Sequence, residues 1–342
     1  MEPAVVAEDV RKRYGETVAL DGVTLSVDSG EVFGLIGPNG AGKTTLVRAL
    51  TGTIDPDDGS ITVLDDEPTT VDPHRIAVLP QAFSPPARLT AAELVTYYAG
   101  LYANARDPES VLSAVGLAEA ADTRFEHLSG GQQRRLCVAS ALVNDPEVVF
   151  LDEPTTGIDP AGRRTIWRLV EALAEAGTTV VLTTHDMAEA AHLADRVGLL
   201  ADGDLVAIGT PAELVADHGG QARLSVGIDA EERPASAVLD AFEHDVEVQA
   251  DRLVVRGVDA REVGTIAEGL DEAGVAYHSL SWTEPGLEEV YLELTDTANG
   301  SGAGEFSATG ATYAETQELS DPSTAESVDG TSVDGSPTGG HR

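Results

Sequence analysis

The chain has almost no lysine, a single cysteine and no long apolar run. Lysine occurs only at Lys12 and Lys43, so nearly all of the 21 basic residues are arginine, set against 59 acidic residues. The net charge of −38 repels phosphate backbones, which argues against nucleic-acid binding through bulk electrostatics. One cysteine excludes a disulfide framework. Cys137 lies in the apolar, helix-like run LCVASALV at 136–143 and reads as a small core residue. No stretch of about 18 apolar residues occurs, so no membrane-spanning helix is expected. The first residues carry no apolar signal-like segment, and a cytoplasmic protein is expected. A hydrophobic content of 42% with periodic segments excludes a wholly disordered acidic chain.

A length of 342 residues suggests about two domains. Residues 1–218 alternate short apolar runs with amphipathic stretches. Val32–Ile36, Val148–Leu151, Thr179–Leu182 and Val197–Leu200 read as buried strands, and Arg163–Ala176 and Met187–Ala194 as helices. That alternation predicts an α/β fold with a mostly parallel sheet. Ala4–Tyr14 and Val18–Val27 read as an antiparallel pair turning at Gly15. His218-Gly219-Gly220 marks a boundary. Residues 222–295 predict a small α+β unit, with strands near Ala222–Ile228, Val246–Ala250, Arg252–Arg256 and Val275–Ser281. Helices fit Glu232–Phe242, Ala260–Ala273 and Gly286–Leu294. This is the split, ferredoxin-like βαββαβ order with a final helix. Residues 297–342, rich in Gly, Ser, Thr, Asp and Glu, predict a disordered acidic tail that cannot bury enough surface to offset its ordering entropy.

One of the two lysines sits in Gly37-Pro38-Asn39-Gly40-Ala41-Gly42-Lys43-Thr44, between the strand Val32–Ile36 and the helix-like TTLVRALTG that starts at Thr44. Strand, glycine loop and helix are the context a phosphate-binding loop requires. Glycines let successive N–H groups converge on an anion, and the helix adds its positive end. Lys43 would reach the β- and γ-phosphates, and the Thr44 hydroxyl would hold Mg²⁺. Val148–Leu151 runs into Asp152 and Glu153. A buried strand ending in two carboxylates is costly unless a cation or a reaction uses them. Asp152 fits Mg²⁺ binding through water. Glu153, one residue on and still extended, should point elsewhere and is the candidate to deprotonate an attacking water. His185 ends the apolar run VVLTTH, at the strand edge where α/β sheets bind ligands, and could contact the γ-phosphate. Ser129-Gly130-Gly131-Gln132 opens the helical run QRRLCVASALV, so a second helix N-terminus is aimed outward as an anion site. Each feature alone has a bland reading: a glycine-rich turn, capping carboxylates, a structural histidine. Their joint occurrence favours the functional one.

The order of these elements, with LSGGQ at 128–132 between the glycine loop and VVFLDEP at 148–154, resembles the ATP-binding cassette family over about residues 4–218. The resemblance implies the ATPase subunit of an ABC transporter using ATP and Mg²⁺. It implies nucleotide contacts from Tyr14 by stacking on adenine, from Gly37 through Thr45, and from Ser129, Gly130, Gly131 and Gln132 of an opposing copy. Gln81, after Ile76–Leu79, matches the Q-loop residue, touching Mg²⁺ or its water. Gly157-Ile158-Asp159-Pro160 matches the D-loop, placing Asp159 at a dimer seam. One loop and one LSGGQ per chain imply a second cassette, as homodimer or heterodimer. A separate transmembrane permease is the implied partner, holding the chain at the inner face of the membrane, with Ala82–Tyr102 facing it. The helically spaced Leu94, Tyr97, Tyr98, Leu101 and Tyr102 in that segment fit core better than interface. EPGLEEVYLELT at 284–295 resembles the ending of drug-exporter-type ATPase subunits. A soluble cassette ATPase acting as an assembly scaffold is the alternative. The chromosome-type members are excluded because no coiled coil fits between Thr44 and Ser129. The acidic, lysine-poor composition is similar to that of haloarchaeal proteins and implies a cytoplasm of molar salt, where charge repulsion is screened to a few Å.

Overall fold

Short runs of β-branched and aliphatic residues become strands buried on both faces, and these position everything else. The computed structural model describes residues 2–228, 244–249 and 251–298, all within one compact unit, Met1–Ser301. β1 (Pro3–Tyr14) and β2 (Thr17–Asp28) pair antiparallel, and β4 (Asp58–Val63) completes a three-stranded sheet in the order β2-β1-β4. A second sheet has the order β5-β6-β7-β3-β8-β9. Its strands are β3 (Val32–Ile36), β5 (Ile76–Leu79), β6 (Val148–Asp152), β7 (Thr179–Thr184), β8 (Arg196–Ala201) and β9 (Asp204–Gly209). All pairs in it are parallel except β8–β9. β4 and β9 are strands that the apolar-run pattern did not mark, because each is only partly buried.

Both faces of the parallel sheet are covered, which is why its strands lack polar alternation. Val148 and Phe150 of β6 pack with Phe33, Leu35 and Val181 toward the three-stranded sheet and α1 (Lys43–Leu50). Val149 and Leu151 face the other way, toward Leu94, Leu136 and Leu169. Those residues come from α2 (Ala91–Ala99), α4 (Gly130–Ala141) and α5 (Pro160–Glu175). α3 (Pro108–Ala114) joins α2 and α4 in a helical region on that side. Period two along β6 thus feeds two cores. The aromatic cluster around α2 divides. Leu94 is buried and Tyr98 and Tyr102 pack against the core, whereas Tyr97 is 57% and Leu101 60% exposed. Tyr97 lies within α2 on its exposed side and Leu101 lies beyond its cap, Gly100, so the cluster is core only in part.

α6 (Met187–Leu193) and α7 (Pro211–His218) complete the larger part. Beyond it, β10 (Arg223–Ile228), β11 (Asp245–Val248), β12 (Arg252–Arg256) and β13 (Tyr277–Thr283) form an antiparallel sheet in the order β11-β12-β10-β13. This is the strand order of the split βαββαβ plan. α8 (Val263–Glu272) covers it, and Leu224, Val226, Leu253, Val255, Ile266 and Leu270 make a separate core. The helix expected over Glu232–Phe242 lies outside the described residues, as does the tail expected over 297–342 except for Thr297 and Ala298, which are helical. α9 (Leu287–Ala298) is the expected final helix. The final helix does not join the core of the small sheet. Its Leu287 and Val290 are buried with Ile36, Ala190, Val197, Leu199 and Leu214 of the preceding part. No described helix is long and apolar enough to cross a membrane.

Candidate functional site

β3 carries the glycine loop to the C-terminal edge of the parallel sheet, and α1 starts directly after it. At Gly42, φ is 108° and a Cβ would stand 2.4 Å from the Ala19 carbonyl oxygen, so only glycine fits. Gly40 has φ 89° but faces open space. It lines an open cavity of about 300 Å³ with Thr17, Val18, Asn39, Thr45, Gln81 and Glu153. The α1 N-terminus has no side-chain cap, which leaves its first N–H groups for an anion. A cradle of this kind, open where a Cβ would otherwise fill it, fits a bound phosphate chain.

The charged groups meet beneath this loop. Lys43 is buried, and its Nζ donates to the carbonyls of Gly37 (2.7 Å) and Pro38 (2.9 Å). Burial pushes its pKa down, partly countered by the charges of Glu153 and Asp152. Asp152, the last residue of β6, accepts at Oδ1 from Thr183 Oγ1 (2.6 Å) and from Thr44 Oγ1 (3.4 Å). The Thr44–Asp152 pair proposed to hold Mg²⁺ is therefore adjacent in space.

Glu153 departs from its predicted conformation. It is not extended: φ is +49°, a left-handed turn that costs a non-glycine residue about 1–3 kcal/mol. Its N–H donates to Thr183 O (3.2 Å) and Thr183 Oγ1 (3.0 Å), which holds the kink against β7. The kink brings the carboxylate under the glycine loop. There Oε2 accepts from Gln81 Nε2 (3.2 Å) and Thr156 Oγ1 (3.0 Å). Oε1 lies 3.9 Å from Lys43 Nζ and 3.5 Å from His185 Nδ1. Burial raises the Glu153 pKa. The Thr156 hydrogen bond and the charges of His185 and Lys43 outweigh it, and the carboxyl ends below its ordinary range.

Not every predicted residue joins this cluster. Tyr14, 48% exposed at the end of β1, is paired across the hairpin with Thr17 but does not line the cavity. Ser129, Gly130, Gly131 and Gln132 open α4 and do not line the cavity. Ser129 and Gln132 form a reciprocal capping box there, Ser129 Oγ accepting from Gln132 N and Gln132 Oε1 from Ser129 N. Asp159 caps α5, accepting at Oδ2 from Ala161 N and Gly162 N, and a Cβ on Gly131 would lie 3.2 Å from its Oδ1. Three contributors were missed by sequence reasoning. Thr183 and Thr156 are ordinary polar residues until the strands align. Arg134 hydrogen-bonds only to backbone carbonyls far away in sequence, and no side-chain pattern reports such partners.

Comparisons with known proteins identify the family. The ABC transporter domain pattern matches residues 20–156. The chain is 37% identical over 306 residues to the daunorubicin resistance ATP-binding protein DrrA3 of Streptomyces coeruleorubidus, covering 86% of this chain and 96% of that protein. It is 37% identical over 296 residues to the Nod factor export ATP-binding protein I of Bradyrhizobium diazoefficiens, covering 84% and 94%. Among solved structures, the ADP form of an ATP-binding cassette of an ABC transporter aligns with a TM-score of 0.56 at 26% identity, over 64% of this chain and 95% of that one. A dimeric cassette bound to ADP and Pi aligns with a TM-score of 0.55 at 28% identity, over 60% and 98%. The chain belongs to the ATP-binding cassette ATPases, as an ATP-binding subunit of an ABC transporter.

Proposed function

We propose that this chain hydrolyses Mg²⁺-ATP with Glu153 as the base that activates water, and drives a separate membrane permease of exporter type. The observation that carries the reading is the convergence of Lys43, Gln81 and His185 on the Glu153 carboxylate beneath an open glycine cradle. Lys43 binds the terminal phosphates, and the backbone of Gly37, Pro38, Asn39, Gly40, Ala41, Gly42, Thr44 and Thr45 shapes their seat. Thr44, Asp152 and Gln81 would hold Mg²⁺, which neutralises charge on the β- and γ-phosphates when bound. The described residues contain no cluster of three or more His, Cys, Asp or Glu for a metal, so phosphate oxygens would complete its shell. His185, exposed on its strand end, contacts the γ-phosphate, and Tyr14 stacks on adenine. Ser129, Gly130, Gly131 and Gln132, which do not line the chain's own cavity, close over the nucleotide of a second cassette, with Asp159 at the seam. The names of the relatives, drug resistance and Nod factor export, support an exporter whose permease holds this subunit peripherally at the membrane.

The test is Glu153→Gln in the assembled transporter. The amide keeps the shape and the hydrogen bonds from Gln81 and Thr156 but cannot take a proton. The expected result is a fall in kcat of about 10²-fold or more, with ATP still bound and the dimer held closed. Hydrolysis at the unmodified rate would remove Glu153 from the role.

A further inference from the structure

Arg134 lies in α4, two residues after the Gln132 that closes LSGGQ. Its guanidinium makes five hydrogen bonds, each to a main-chain carbonyl. Nη1 donates to Pro80 O (3.3 Å) and Gln81 O (3.2 Å). Nη2 donates to Asp152 O (2.7 Å) and Glu153 O (2.8 Å), and Nε to Pro154 O (3.3 Å). One side chain thus joins three segments: the start of α4, the loop that carries Gln81, and the turn that carries Asp152 and Glu153. These are the two loops whose side chains meet through the Gln81–Glu153 hydrogen bond. The left-handed turn at Glu153 is pinned on its N–H side by Thr183. On its carbonyl side Glu153 O accepts from Thr156 N (3.3 Å) within the turn, and Arg134 is the pin from outside it.

We infer that Arg134 is a positioning residue: it fixes the strained Glu153 turn and the Gln81 loop in register with each other and with the LSGGQ end of α4. The inference rests on Glu153 being the proposed base. Carbonyl partners explain why arginine is required. Its planar fork offers donors on three nitrogens at fixed angles, whereas lysine presents one compact ammonium that cannot span five acceptors in two loops. A partly buried guanidinium held by carbonyl dipoles is an expensive way to stabilise a fold, and its value here is geometric. The same link gives α4 a mechanical path to Glu153 within one chain. When the LSGGQ end of α4 is displaced by engaging a nucleotide, the carbonyls of Glu153 and Gln81 move with it.

Arg135 supplies an internal control. It sits on the same helix, but its Nη1 donates to Val115 O (2.7 Å) and Gly116 O (3.2 Å), inside the helical region and away from both loops. The experiment compares Arg134→Lys, Arg135→Lys, Glu153→Gln and the Arg134→Lys/Glu153→Gln double variant in the permease complex, with ATP affinity and melting temperature measured alongside kcat. Arg134→Lys is expected to lower kcat about 10²-fold, the scale of a small misplacement of a reacting group. KM and ATP affinity should stay within about twofold, the signature of an interaction felt in the transition state. Arg135→Lys should leave kcat unchanged. In the Glu153→Gln background the Arg134→Lys loss should shrink to less than about threefold, because no base remains to be positioned. Equal fold losses in both backgrounds, or a fall in ATP affinity that matches the fall in kcat, would overturn the inference in favour of a general structural role. Full activity of Arg134→Lys beside an inactive Glu153→Gln would overturn this inference alone. Full activity of Glu153→Gln would overturn the base assignment and, with it, any positioning of a base.

Discussion

At the scale of single residues, chemistry was easiest to anticipate where backbone constraint and side-chain type coincide. Gly42 accepts φ 108° with a carbonyl 2.4 Å from where a Cβ would stand, so the glycine loop announces itself in sequence. Lys43, Thr44 and Asp152 follow from it. What could not be read was Glu153 in the left-handed region, since nothing in VVFLDEP marks the strand as kinking after Asp152. Arg134 was equally silent, because its partners are carbonyls, which every residue has. Cys137 gives a prediction at this scale. It is buried in α4, and burial lifts its thiol from 9.0 to about 11. A pKa higher in the folded than in the unfolded state stabilises the fold fully below about pH 9. That contribution is lost as the pH rises toward 11. At pH 8 the thiol is therefore neutral and shielded. Alkylation by a thiol reagent, read by mass spectrometry, should be negligible in the folded protein and complete in denaturant. Rapid labelling of the folded chain would show that the α4 packing around Cys137 opens.

At the scale of elements, legibility tracked burial. β3, β6 and β7 are apolar throughout and were placed closely from sequence, whereas β4 and β9, partly exposed, were not marked. The LSGGQ segment folds as a capped helix start for a local reason, since Ser129 and Gln132 stand at the spacing of a capping box. The docking of α9 is a tertiary fact that periodicity cannot supply: an apolar stripe says that a face is buried, not which core receives it. That docking has a consequence. α6 starts two residues after His185, and its Ala190 shares a core with Leu287 and Val290 of α9. Leu287→Ala should cost about 2–5 kcal/mol, and the loss should fall on the larger part. In hydrogen exchange, peptides covering α6 and β8 should lose protection in Leu287→Ala. Leu270→Ala, which empties the core of the small sheet, should instead expose β10 and β12 and leave α6 protected. The same exchange pattern in both variants would mean that α9 is no separate brace.

At the scale of the whole molecule the deciding quantity is charge. With 59 acidic against 21 basic residues, like charge is in large excess, and its mutual repulsion works against compaction. Salt acts on two opposed sets of interactions. It weakens ion pairs such as Arg11–Asp9, Lys12–Asp57, Arg75–Glu147 and Arg256–Glu247, and it screens carboxylate repulsion. Exposed pairs are worth about 0–1 kcal/mol each, and few basic residues exist to form them, so their loss is small. Repulsion among the excess carboxylates is summed over the whole surface, and it is cut as the Debye length falls from about 10 Å at 0.1 M to about 3 Å at 1 M. Screening therefore wins, and stability should rise with salt. Between 0.1 and 1 M KCl the melting temperature is expected to climb by several degrees, since each kcal/mol is worth about 2–4 °C in a chain of this class. Screening nears completion once the Debye length is shorter than the spacing of neighbouring carboxylates. The rise should therefore be steepest below about 0.5 M and shallower above it. A gain that grows linearly to several molar would instead reflect salt exclusion from the surface. A melting temperature that is flat or falls over the first molar would show that the ion pairs outweigh the repulsion, and that the acidic surface is not a source of instability at low salt.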